Sequence, residues 1–308
     1  MVLDAFHTGE QQLQQRIGVK DKMAELGQRF LRPYLLEQHR QFYALLPMIF
    51  IGAEDSAGAI WASVLYGEEG FVSSPNSSLL HIDNMLAQYD PLYDELEPLA
   101  AIGLLGIELP TKRRNRANGL LQRLTDSSMV IEIEQSFGNC AKYIQVRDKH
   151  RATEKLPAAA FSFTHFNGDI VDRIQQMDTF FIATGSLDEG GCINEEQGGM
   201  DISHRGGPPG YVQVINDSTL IFADFPGNNF FNTFGNLLLD PRAGLLFIDF
   251  EHGHHIYLTG TAEVRWSQEN DLLIDGAERE VHFHLQQGKM VFNASPYRWQ
   301  ILDKSVIT

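Results

Sequence analysis

Cysteine is nearly missing from this chain: Cys140 and Cys192 are the only two in 308 residues. Two thiols exclude a disulfide framework and a four-thiolate zinc site. They make a reducing cytoplasm the expected setting and read as small apolar groups rather than a redox pair. Positive charge is scarce too. Lys and Arg number 24 against 40 Asp and Glu, a formal charge of −16, which argues against the broad basic surface that nucleic-acid backbones require. No apolar run approaches the length of a membrane span, and the start Met1-Val2-Leu3-Asp4-Ala5-Phe6 lacks the basic and apolar regions of a signal peptide. Neither nucleic acid nor membrane is an expected partner. Also absent are G-x-G-x-x-G after a strand, Walker A, H-E-x-x-H and G-x-S-x-G, so the common nucleotide, zincin and hydrolase readings lose their main support.

What is present is a repeat. Gly103-Leu-Leu-Gly-Ile-Glu-Leu and Gly244-Leu-Leu-Phe-Ile-Asp-Phe match at an offset of 141 residues, and Gly119 and Gly260 continue the match. Upstream, Ser63, Gly67, Gly70, Phe71 and Val72 match Ser203, Gly207, Gly210, Tyr211 and Val212 at an offset of 140. Phe50-Ile51 matches Phe181-Ile182 at 131. The nine-residue difference places an insertion near Ser186–Gln197, a Gly- and Glu-rich stretch suited to a surface loop. A period this long is a duplicated domain rather than a solenoid unit. We read residues 1–31 as an N-terminal extension, 32–150 as the first repeat and 151–308 as the second. The linker falls within 147–168, around Pro157-Ala-Ala-Ala.

Each copy opens with a helical pattern, around Tyr34–Leu46 and Ile170–Met177. Six short strand signals follow in each: Met48–Ala53, Ala59–Leu65, Gly70–Ser74, Ala101–Leu109, Asn115–Leu121 and Met129–Gln135, then Phe180–Thr184, Asp201–His204, Tyr211–Ile215, Thr219–Ala223, Ala243–Phe250 and Ile256–Val264. A short helix is expected over Asn229–Leu239, capped by Asn228 or Asn229 and ended by Asp240-Pro241. The fold class is mainly β with minor α: two small barrels in tandem, packed face to face as a homodimer would be.

Three segments concentrate polar groups. Ser203-His204-Arg205-Gly206-Gly207 joins a hydroxyl, an imidazole and a guanidinium to glycines that let backbone N–H groups approach a ligand; a plain Gly-Pro hairpin is the competing reading. Gly227–Asn236 holds Asn228, Asn229, Asn232 and Asn236 at a helix start, where free N–H groups favour an anion. Asn228, Asn232 and Asn236 are four apart and would share a helix face. Lys112-Arg113-Arg114-Asn115-Arg116 is a basic run in an acidic chain. In a strand, Arg114 and Arg116 share one face, suited to clamping a phosphate; a solvated turn is the commoner fate of such a run. His252, His254, His255, His282 and His284 lack an accompanying carboxylate–His motif, and no metal is expected.

At Ser203-His-Arg-Gly-Gly, Asp224-Phe-Pro-Gly-Asn-Asn, Gly235-Asn-Leu-Leu and Pro241-Arg-Ala-Gly-Leu-Leu-Phe-Ile-Asp-Phe the sequence resembles the pyridoxamine 5′-phosphate oxidase-like FMN-binding split barrels. Phe6-His7-x-Gly9-Glu10, Gln38-His39-Arg40-x-Phe42, Arg113-Arg-Asn-Arg and Gly138-Asn-Cys-x-Lys142-Tyr143-Ile144 resemble the double-barrel members of that group. The resemblance covers most of residues 6–265. It implies two tandem Greek-key split β-barrels forming an internal pseudo-dimer, with FMN in the cleft between them. It places Arg205 on the strand facing the flavin and Asn228 and Asn229 where the oxidases hold the phosphate with cations. Arg114 and Arg116 would then supply the missing charge from the first barrel. Ser203, His204, Asn232 and Asn236 would lie near the cofactor. The first copy has no Asn-rich helix, so the two clefts are expected to differ. The tail Pro296-Tyr-Arg298-Trp299 lacks the Arg-x-His-x-Arg segment of the vitamin B6 oxidases, which argues against pyridoxamine phosphate oxidation. The expected function is an FMN-dependent oxidoreductase with a small-molecule substrate or electron donor. His204 is the sole candidate acid–base group, on position alone. Alternatives are a non-catalytic flavin or haem carrier and an interaction module with a decayed site. A homodimer of the whole chain is a further option.

Overall fold

The computed structural model describes residues 5–138, 141–152, 156–187, 197–267, 272–274 and 277–302. Cys140, Cys192 and most of the expected 186–197 insertion lie outside them. Helices α1 (Thr8–Arg16), α2 (Lys20–Phe30) and α3 (Glu37–Ala44) lead into strands β1 (Met48–Glu54), β2 (Ile60–Tyr66), β3 (Val72–Asn76), β4 (Leu79–Ile82), β5 (Ala101–Glu108), β6 (Arg113–Leu124), β7 (Met129–Gly138) and β8 (Arg147–Arg151). Then come β9 (Ala159–Phe163), α4 (Gly168–Gln176), β10 (Thr179–Ser186), β11 (Gly199–Gly206), β12 (Val212–Val214), β13 (Thr219–Ala223), α5 (Asn232–Leu239), β14 (Arg242–Asp249), β15 (His254–Trp266), β16 (Arg279–Phe292) and β17 (Tyr297–Ile301).

The duplication read from scattered glycines is complete at the level of topology. The first sheet runs β2-β1-β5-β6-β7-β4-β3 and the second β11-β10-β14-β15-β16-β13-β12, the same order strand for strand, with β9 added against β16 in the second. Register repeats as well: Phe50 pairs with Leu105, and Phe181 with Leu246. A bulge interrupts β6 at Asn118/Gly119 and β15 at Thr259/Gly260, so the matched Gly119 and Gly260 mark the same irregularity in each sheet. The chain is two tandem split β-barrels, mainly β with minor α.

The matched residues lie where the barrels meet. Phe50 and Phe181 stack across the seam with centroids 3.6 Å apart and planes inclined by 18°. A Cβ on Gly103 would stand 2.8 Å from the Asp201 backbone, and one on Gly244 2.5 Å from Trp61 Cα. Each glycine presses against the other copy's second strand, an approach that a side chain would block. Phe50, Phe181, Ile51, Ala183, Leu104 and Leu246 are fully buried in one cluster that draws on both barrels. The remaining core of the second barrel forms its own cluster, into which α1 inserts Leu13. Finally, β8 and β17, the strands that follow each barrel, pair with one another.

Three differences from expectation have physical causes. Strand β16, the longest, was expected only as a strand face shared by His282 and His284: Val281, Phe283 and Leu285 alternate with Glu, His and Gln as in a half-buried strand, but this short apolar set does not announce all 14 residues. Helix α1 is too polar to announce itself by hydrophobic periodicity, while α2 carries Met23, Leu26 and Phe30 at helix spacing in an otherwise polar stretch. Helix α5 begins at Asn232, three residues late, because Asn229 and Phe231 adopt left-handed φ of 62° and 63° and redirect the chain first.

Candidate functional site

A cleft of about 350 Å³ opens between the barrels. Strand β6 of the first barrel provides one wall and β11 of the second the other, with the start of α5 and the segments 142–143 and 223–229 completing it. Arg114, Arg116, Ser203, His204, Arg205, Asn228, Asn229 and Asn232 all line it. Strand alternation explains Arg114 and Arg116; Arg113 turns away, over the Phe42 ring at 5.2 Å. Asn236 is not part of the lining. Its amide donates to Thr184 Oγ1 at 3.1 Å, and its carbonyl meets His7 Nε2 at 2.9 Å.

Neither Asn228 nor Asn229 caps α5. Asn228 Oδ1 accepts from Phe230 N at 3.1 Å, forming a local turn. The residue before the helix is Phe231, and no side chain caps it. Asn228 precedes the helix, so it shares no helix face with Asn232 and Asn236. The first turn, Asn232–Phe234, therefore brings backbone N–H groups without a side-chain cap to the cleft, where the helix dipole favours an anion.

The lining carries five cations, Arg114, Arg116, Lys142, Arg205 and Arg279, and one carboxylate, Asp224. Asp224 accepts from Arg205 Nη1 at 3.1 Å and from Arg279 Nε at 2.9 Å. Behind the wall, Asp201 pairs with Arg116. Even counting both carboxylates, positive charge predominates in a chain that is strongly negative overall.

Arg116 joins the two barrels. Its guanidinium donates to Asp201 and Ser203 on β11 and, at 3.1 Å, to Asn232 Oδ1 on α5. Burial pulls the Arg116 pKa down and the Asp201 carboxyl up, while their mutual attraction opposes both shifts. Removing one partner from such a buried pair typically costs about 3–5 kcal/mol, because the other charge is stranded. His204 is held well below the ordinary imidazole range, first by burial and then by Arg114, Arg147 and Arg205, and is neutral. Its Nε2 and the Nε of Arg205 are buried with no hydrogen-bond partner among the described residues.

The motif Phe6-His7-x-Gly9-Glu10 fixes α5 from behind. His7 caps α1 in a reciprocal box with Glu10. Glu10 accepts from Asn232, and Gln14 Nε2 donates to Phe230 O at 3.1 Å. Gly9 and Gly235 let α1 and α5 touch: a Cβ on Gly9 would sit 2.2 Å from Gly235 O. Burial raises the Glu10 carboxyl well above its usual value, more than its bonds from Asn232 and His7 lower it.

Sequence reasoning did not single out Asp201 or Arg279, and it met Asp224 and Thr233 only within larger motifs, without a role at the site. Asp201 stood two residues before Ser203 on the same strand face, which was an available signal. Arg279 lay in a stretch without a readable pattern. At the rim, Lys142 and Tyr143 both donate to Pro226 O at 3.3 Å, and Tyr143 faces Phe225 with centroids 5.4 Å apart. Among the described residues no three His, Cys, Asp or Glu side chains converge as a metal site. His252 pairs with Asp249 and His282 with Glu280. Among the described residues no helix is long and apolar enough to cross a membrane.

No protein-family model matches the chain, and no curated protein matches it. Among solved structures it is similar to HupZ of Group A Streptococcus, at 16% identity and TM-score 0.28, covering 46% of this chain and 98% of that one. It is similar to a Clostridium acetobutylicum protein of the pyridoxinephosphate oxidase family, related to general stress protein 26 of B. subtilis, at 13% identity and TM-score 0.27, covering 43% and 92%. It is also similar to the FAD binding protein of Mycobacterium smegmatis, at 16% identity and TM-score 0.25, covering 42% and 98%.

Proposed function

We propose that this chain binds FMN between its two barrels and acts as a flavin-dependent oxidoreductase on a small molecule. The observation that carries the reading is the cleft itself: an uncapped helix start and five cations beside an apolar wall of Tyr211, Phe231 and Phe234. That combination suits a ligand with an anionic end and a flat aromatic end. The buried, unpartnered Nε2 of His204 and Nε of Arg205 are polar atoms that a bound ligand would satisfy. The first turn of α5, Arg205 and Arg114 would hold the phosphate. Arg116, already engaged by Asp201, Ser203 and Asn232, would fix the two walls in register and add to the positive field. His204, being neutral, would meet a ring heteroatom through a hydrogen bond. FMN would supply the electron chemistry when bound, and the chain its orientation and electrostatics.

A carrier without turnover is the second reading. It is favoured by the lining's lack of any acid–base histidine except neutral His204. Reduction of the bound flavin by NADH or NADPH followed by oxygen uptake separates the two. For the cleft assignment, Arg114→Ala is expected to weaken FMN about 10-fold or more, since a charge-assisted bond contributes about 1.5–3 kcal/mol, while riboflavin affinity changes little. Fluorescence titration with both ligands reads this out. Equal weakening of both would remove Arg114 from the phosphate end.

A further inference from the structure

A duplicated chain with matching barrels has two clefts related by the internal pseudo-symmetry, and the second can be located residue by residue. The offset of 141 that carries Gly103 to Gly244 sets His255 and Tyr257 against Arg114 and Arg116, and the offset of 140 sets Ser63 against Ser203. The counterpart of the cleft thus lies between β2 and β15, where neutral groups replace the two arginines.

That ground is filled by the protein. Ser63 and Tyr257 both donate to Asp90. His255 Nδ1 lies 2.9 Å from the Tyr257 hydroxyl, and His255 Nε2 lies 2.9 Å from the Tyr66 hydroxyl. Because Tyr257 donates to Asp90, it accepts from His255 Nδ1–H, and Nε2 in turn accepts from Tyr66. One hydrogen-bonded chain therefore runs from Tyr66 to Asp90. Ser63, Asp90, His255 and Tyr257 are all buried. Where the second copy places α5, the first places turns whose Leu92 and Leu96 are buried in the core. Tyr297 of β17 closes the mouth: its hydroxyl donates at 2.7 Å to the carbonyl of Gly67, the counterpart of Gly207.

We infer that the chain carries one flavin site, not two: the cleft at Arg114, Arg205 and α5 binds, and its counterpart is permanently occupied by Ser63, Asp90, His255, Tyr257 and Tyr297. This rests on the FMN reading of the first cleft and fixes its stoichiometry. It also makes the site complete within one chain. Divergence has spent one half of a symmetric pair of sites on core packing.

Equilibrium dialysis of FMN against the full chain tests it. One FMN per chain is expected. Arg205→Ala should weaken binding 10-fold or more, while His255→Gln and Tyr257→Phe leave it within about twofold. Two FMN per chain would overturn the inference and leave the FMN reading standing. One FMN whose affinity follows His255 and Tyr257 instead of Arg205 would overturn the assignment of which cleft is closed. No bound FMN would overturn the underlying reading, and the inference with it. The wild-type stoichiometry needs no variant to fold, and circular dichroism of each variant identifies any loss due to unfolding.

Discussion

Burial pushes Asp90 and His255 in opposite directions along the pH axis. The Asp90 carboxyl is raised to about 6, chiefly by burial, against the bonds from Ser63, Leu92 N and Tyr257. A carboxyl that binds its proton more tightly when folded stabilises the protein fully below about pH 4, and this contribution is lost as pH rises through about 6. The shift of roughly two units corresponds to about 3 kcal/mol. His255 is lowered to about 3 by burial, with His254 and Arg298 assisting. Its contribution is present above about pH 6.5 and is lost as pH falls toward 3. Urea unfolding from pH 4 to 7 should therefore give Asp90→Asn a stability that rises relative to wild type as pH increases. His255→Gln should gain relative to wild type as pH decreases. Parallel profiles for either variant and wild type would show that the residue titrates normally.

Among the elements, α1 matters most for the site although it belongs to neither sheet. It contributes no residue to the lining of the main cleft but holds α5 through Glu10–Asn232, His7–Asn236 and Gln14–Phe230 O. Two glycines set the distance between the helices. Gly9→Val should force them apart at a cost of about 1–3 kcal/mol. Limited proteolysis is the measurement: cleavage ahead of residue 31 should accelerate while the barrels persist. An unchanged cleavage rate would mean that α1 stays docked by other contacts.

For the molecule as a whole, the seam is both the centre of the core and the wall of the cleft. Glycines 103 and 244 occupy reciprocal positions there, so Gly103→Ala and Gly244→Ala should each destabilise by about 1–3 kcal/mol and lower the thermal midpoint by several degrees. The two losses should be similar, since each Cβ would meet backbone of the opposite barrel at 2.8 and 2.5 Å. Differential scanning calorimetry checks this. Two separate transitions would show that the barrels unfold independently, against a single shared core.

The sequence by itself determined the duplication, most barrel strands and eight of the residues that line the cleft. Backbone constraints leave marks that survive divergence: a glycine at a close approach or a bulge cannot be replaced cheaply, and Arg114 and Arg116 share a face through strand alternation alone. Thr219–Ala223 was legible to the residue because turn residues bound its apolar run. Only the tertiary structure decided what those residues do. It turned Asn236 toward α1, delayed α5, tied Arg116 to Asp201 and brought Asp224, just past β13, and Arg279 of β16 to one wall. It also closed the second cleft with Asp90 and Tyr297, more than 200 residues apart in the chain. Hydrogen-bond partners and burial are set by neighbours distant in sequence, and no local pattern encodes them.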